Sequence, residues 1–61
     1  MNKGARFKQK ENGLTYESNG VCFNKTILGR TFYVTECSVS NNTKTLVPIS
    51  KLQDPTLYEK L

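Results

Sequence analysis

Apolar residues along the chain come in runs of four at most, and polar residues break them with a dominant period of two. Alternation of this kind marks strands that bury one face. It runs through residues 6–10, 14–18, 21–28, 31–39 and 44–49. Turn signals stand between these segments. Asn12-Gly13 and Asn19-Gly20 suit two-residue type I′ turns, which need positive φ at both central positions. Gly29-Arg30 suits a type II′ turn, and Ser40-Asn41-Asn42-Thr43 is a fourth polar turn. The pattern predicts an all-β fold, a small antiparallel five-stranded meander, in a chain of 61 residues.

Each two-residue turn also predicts a register. Gln9 then faces Tyr16, Phe7 faces Ser18, and Tyr16 faces Phe23. In the third and fourth hairpins Ile27 faces Phe32, Phe23 faces Glu36, and Val34 faces Ile49. Followed through all four hairpins, one face collects Phe7, Leu14, Tyr16, Val21, Phe23, Ile27, Phe32, Val34, Val47 and Ile49. Lys25 falls on that apolar face, where a buried, unpaired ammonium is costly. A bulge at Asn24-Lys25 turns it outward, it snorkels at the rim, or the third register is off by one residue. In the same register Cys22 lies opposite Cys37, close enough for a disulfide in an oxidising setting and two free thiols in a reducing one.

The C-terminus changes character. Ser50 to Gln53 has capping-box spacing and reads as a single helical turn. Asp54-Pro55 then reads as the start of a short C-terminal helix over residues 56–61, with Leu57 and Leu61 on one side. Six residues hold no helix alone, so this segment docks on the sheet or orders against a partner.

Two stretches carry a resemblance. Gly4-Ala5-Arg6-Phe7 with Asn12-Gly13-Leu14-Thr15-Tyr16 looks like the first hairpin of short SH3-like barrels encoded by phages and prophages. Val47-Pro48-Ile49-Ser50-Lys51-Leu52 is similar to the last strand and following turn of such barrels. The resemblance covers about half the chain and implies an SH3-like, partly open barrel. Barrels of this kind include nucleic-acid-binding and protein-binding modules, so it does not choose between them. The second strand departs from the pattern: it runs into Asn19-Gly20 where a longer apolar strand belongs.

Composition narrows the chemistry. The chain has no His and two Cys fifteen positions apart, so the commonest general base and a four-ligand zinc site are absent. No nucleophile motif or glycine-rich phosphate loop occurs, and the five acids are scattered. The expectation is a non-enzymatic protein with no cofactor. No apolar stretch is long enough to span a membrane and no signal peptide is evident, so the expected compartment is cytoplasmic.

Nine Lys+Arg against five Asp+Glu give a net charge of +4. The excess is local: residues 1–30 hold six cations and two acids, residues 31–61 three of each. Arg6, Lys8 and Lys10 alternate with Phe7 and Gln9, which sets the three cations about 6.8 Å apart on one strand face. Lys3, Arg6, Lys8, Lys10, Lys25 and Arg30 are therefore the candidate nucleic-acid-binding residues. The solvated, aggregation-resistant edge strand is the competing reading of the same lysines. A second candidate surface is an apolar patch of Tyr33, Cys37, Val39 and Leu46 on the opposite face. The expected partner is thus a nucleic acid or nucleoprotein, or alternatively an acidic host protein met by an inhibitor or adaptor. Homo-oligomerisation would compensate for the small core.

Overall fold

The structure is a computed structural model that describes all residues from Met1 to Leu61. Five antiparallel strands form a single open sheet in the order β4-β3-β2-β1-β5. They are β1 (Arg6–Gln9), β2 (Thr15–Ile27), β3 (Arg30–Val39), β4 (Lys44–Pro48) and β5 (Tyr58–Lys60), with one helical turn, α1 (Ile49–Leu52), between β4 and β5. The all-β meander read from the alternation is the observed architecture, and the sheet stays open because β4 and β5 are its edges. No helix is long and apolar enough to cross a membrane.

Asn19-Gly20 does not reverse the chain. The second and third predicted strands are one 13-residue strand, and its pairing with β3 slips between Ser18↔Cys37 and Cys22↔Thr35. Asn19, Gly20 and Val21 therefore bulge opposite Glu36 alone. Gly20 takes φ +85°, and a Cβ there would lie 3.1 Å from Cβ of Lys3, so the left-handed backbone serves a kink rather than a hairpin.

Buried hydroxyls hold the kink. Thr35 Oγ1 donates to the carbonyl of Val21 at 2.9 Å, and it lies 2.7 Å from Ser18 Oγ. A hydroxyl has one proton, so Ser18 must be the donor to Thr35. Ser18 Oγ in turn accepts the Gly20 N–H at 3.2 Å. Ser18 and Thr35 are fully buried, and every buried side-chain polar atom has a partner.

The real turns shift the other registers. Gly13 N–H closes on the Gln9 carbonyl at 2.8 Å, so the first loop spans residues 10–13 and pairs Phe7 with Tyr16. Leu28-Gly29 is the third predicted turn moved back by one residue, with φ +50° and +77°. Ile27 then pairs with Arg30, and Cys22 faces Thr35 rather than Cys37; both cysteines are free thiols. Val39 N–H bonds to the Thr43 carbonyl at 2.8 Å across the three residues 40–42, with Asn42 at φ +66°. A three-residue loop of this kind is a turn followed by a left-handed residue. Its odd length reverses the faces of β4: Val47 lies opposite Thr35 and Leu46 opposite Glu36.

The core consequently draws on Phe7, Tyr16, Cys37, Val39, Val47, Leu52 and Tyr58, with Ala5 and Leu14 packed against it. The rings of Tyr16 and Tyr58 meet edge to face at 5.6 Å. Only Phe7, Tyr16 and Val47 of the predicted apolar face belong to that cluster. Val21, Phe23 and Ile27 are exposed, and the fully buried Val34 lies on the outer face opposite Phe23 and Pro48.

The predicted C-terminal helix over residues 56–61 is replaced by β5. Asp54 Oδ1 accepts both the backbone N–H and the hydroxyl of Thr56, so Asp54-Pro55 initiates a turn instead of a helix. Tyr58–Lys60 then pairs with β1, and Lys10 N–H and Leu61 N–H bond to the carbonyls of Leu57 and Arg6. The open backbone of β1 supplies long-range hydrogen bonds that six isolated helical residues lack.

Loss of the Thr35 hydroxyl strips two buried partners at once. Thr35→Val is expected to lower the free energy of unfolding in urea by about 2 kcal/mol, and Ser18→Ala by about 1. An effect of Thr35→Val no larger than that of Thr31→Val, whose hydroxyl bonds to Thr26 in an exposed pair, contradicts the assignment.

Candidate nucleic-acid interface

Beyond the bulge, β2 and β3 leave the body as a two-stranded ribbon. The other strands do not follow: β1 pairs with β2 only at residues 15–17, and β4 pairs with β3 only from Val34 onward. Between Glu17 and Glu36 the chain contains two cations, Lys25 and Arg30, and no acid.

The register sorts the ribbon into two faces. On the outer face Phe23 pairs with Val34, Lys25 with Phe32, and Ile27 with Arg30. Cations and apolar side chains thus interleave across the two strands. Phe23 is 38% exposed and Phe32 is half-buried. On the other face lie Cys22, Asn24, Thr26, Thr31 and Tyr33, with the Thr26 and Thr31 hydroxyls 3.1 Å apart.

This arrangement resolves the conflict over Lys25. The bulge lies at residues 19–21, not at Asn24-Lys25, and Lys25 stays on the same face as Phe23 and Phe32. That face is open to water, so the ammonium carries no burial penalty. The cation in the middle of an apolar stripe was the sequence signal that this stripe is surface.

The β1 cations are distributed differently. Arg6 stands opposite Glu17, 3.7 Å away in an exposed ion pair of the kind that contributes little to stability. Lys8 is paired in register with Thr15 and Glu59, and Lys10 Nζ donates to the Pro55 carbonyl at 2.6 Å. Lys3 is exposed and packs along Gly20 at the bulge. The six candidate cations therefore divide, with Lys25 and Arg30 together on the ribbon, Lys3 at the bulge, and Arg6, Lys8 and Lys10 beside carboxylates or a carbonyl.

The apolar patch is not one surface. Cys37 and Val39 are buried in the core, Leu46 is half-buried on the outer face, and Tyr33 is 56% exposed on the opposite face. The predicted hairpin at Asn19-Gly20 is the reason for Cys37 and Val39: β2 runs on as one strand, so Tyr16 pairs with Val39 and the Cys37 face of β3 turns inward. The three-residue loop at residues 40–42 moves Leu46 to the other face. No group of three Cys, Asp or Glu side chains is placed to hold a metal ion.

The ribbon ends on Leu28, which is 98% exposed. Its φ of +50° lies in the left-handed region, where a residue with a Cβ is disfavoured by roughly 1–2 kcal/mol and Asn or Gly is better suited. Sequence reasoning missed Leu28 and Phe23 as exposed residues and Phe32 as a half-buried neighbour on the same outer face as Phe23. Gly29 as the second turn residue, with Lys25 mid-stripe and no acid in the arm, was the available signal. No family profile, curated protein or solved structure matches the chain.

Burial pushes the Cys37 thiol up to about 11 from 9.0, with Cys22 and Glu36 adding to the shift. The folded state therefore holds this proton more tightly than the unfolded chain. Cys37 contributes full stability below pH 9.0, and that contribution declines as pH rises to about 11. An aromatic disulfide reagent at about pH 8 is expected to modify Cys22, which is half-buried, and to reach Cys37 only on unfolding. Rapid release of two equivalents from the folded protein contradicts the buried placement.

Proposed function

We propose that the chain is a non-enzymatic accessory protein, of the phage-type SH3-like kind its hairpins resemble, that binds single-stranded nucleic acid across the outer face of the ribbon. One observation carries the reading: Phe23 and Phe32 lie on the same open face as Lys25 and Arg30, in an arm without acids. Bases stack on exposed rings whatever their identity, and cations between the rings meet the phosphates. In this reading Lys25 and Arg30 hold the backbone and Lys3 extends the positive region at the ribbon base. Arg6, Lys8 and Lys10 add long-range attraction, reduced by Glu17 and Glu59. The site of action is the cytoplasm.

A protein-binding inhibitor or adaptor that uses Tyr33 and Leu46 fits less well. Those residues stand on opposite faces of the sheet, so one partner surface does not meet both. Each stacked base contributes about 1–3 kcal/mol, more than an exposed ion pair, so the rings outweigh the two cations in affinity.

Fluorescence anisotropy with labelled single-stranded DNA and RNA, and with matched duplexes, tests this across a salt series. Tighter binding to single strands is expected. Phe23→Ala and Phe32→Ala should each cost about 1–3 kcal/mol, and Lys25→Gln or Arg30→Gln should reduce the salt slope by about 0.7. Lys8→Gln and Lys10→Gln should matter less. Absence of binding to every nucleic acid at low salt removes the reading and leaves an acidic protein as the partner.

A further inference from the structure

Leu28 is left over by this interface. It belongs to neither face of the ribbon, and two independent observations set it apart. It is 98% exposed, and it occupies a left-handed turn position at φ +50°. Its neighbour Gly29 takes φ +77° without strain, as the second residue of such a turn should. Asn before Gly would relieve the backbone and remove an apolar side chain from water. A residue that is unfavourable on both counts in the free protein is expected where contact with a ligand compensates.

Its surroundings indicate the ligand. Ile27, 44% exposed, and Arg30 flank the turn as a register pair, and Lys25 follows two pairs further back on the same face. An apolar tip set between cations, with no carboxylate in the arm, matches a stacked and charged polymer. Lys25 pairs with Phe32, so the tip stands three residues beyond that pair, about 10 Å along the strand. A duplex whose single-stranded tail lies on Phe23 and Phe32 therefore brings its last base pair to Leu28.

The geometry points to Leu28 as an apolar wedge that caps the last base pair where a duplex passes into a single strand, making a duplex–single-strand junction the substrate. The inference rests on the proposed binding of single strands by the outer face. Inserting a side chain between stacked bases costs least where the stack already ends, which favours a junction over continuous duplex. Phe23 and Phe32 take the unpaired bases, Lys25 and Arg30 take the phosphates, and Leu28 with Ile27 closes the stack.

The experiment compares three labelled probes by anisotropy: a single strand, a duplex, and a hairpin with a single-stranded tail of the same sequence. The wild-type chain is expected to bind the tailed hairpin at least about fivefold more tightly than the single strand, equivalent to about 1 kcal/mol. Leu28→Asn should abolish that preference, leave single-strand affinity within about twofold, and raise the melting temperature by about 4–8 °C through relief of the turn. A junction preference absent from the wild type, or retained in Leu28→Asn, overturns the wedge while single-strand binding stands. Failure to bind any probe overturns the interface itself and the wedge with it. The raised melting temperature confirms that the variant is folded.

Discussion

The shape of this protein depends on two buried hydroxyls. Ser18 and Thr35 connect the Gly20 N–H to the Val21 carbonyl across the place where β2 slips against β3. Without that connection the extra residues of the bulge would leave polar backbone groups uncompensated beside the core. With it, β2 continues past its kink as one strand. The body half of β2 places Tyr16 and Ser18 inward, and the far half goes on with β3 as a ribbon. Everything proposed about binding follows from that division.

The division also accounts for the balance between stability and surface. A chain of 61 residues has little apolar material, and here part of it lies outside the core. The core is completed by elements distant in sequence: Leu52 from the helical turn and Tyr58 from β5. Tyr58 packs edge to face on Tyr16, whose hydroxyl donates to Gln9 at 2.8 Å. A two-stranded ribbon is only marginally stable by itself, so the arm relies on the body to hold its base. Exposed rings in such an arm are a feature of binding surfaces, because a core this small gains most from burying every ring it can.

Much of the fold was legible in the sequence, and the misreadings share a cause. The period-two alternation identified four of the five strands as extended segments, and Ser50 to Gln53 as a helical turn close to α1. Loop length was less legible. Asn-Gly signals positive φ, but the same conformation serves a bulge at Gly20 and a four-residue loop at Gly13. A two-residue error in a turn leaves side chains on their faces, as in the first hairpin. A one-residue error exchanges them, as in β4, where it set Leu46 beside Cys37; the hairpin expected at Asn19-Gly20 is what made Cys37 and Val39 look exposed. The segment after Asp54 was illegible for another reason: six residues have no local preference strong enough to resist pairing with an open strand edge. At the candidate site, Lys25 and Arg30 were visible as charges, while their setting beside Phe23 and Phe32 needed the true register.

The most direct test of the outer-face interface is a residue-resolved one. Amide chemical shifts of the labelled protein, followed during titration with a short single-stranded oligonucleotide, report where the strand lies. Binding across the ribbon predicts saturable shifts concentrated at Phe23, Lys25, Arg30 and Phe32, with the β1 amides of Arg6 and Lys8 changing little. Shifts confined to β1, or none at any residue, contradict the account.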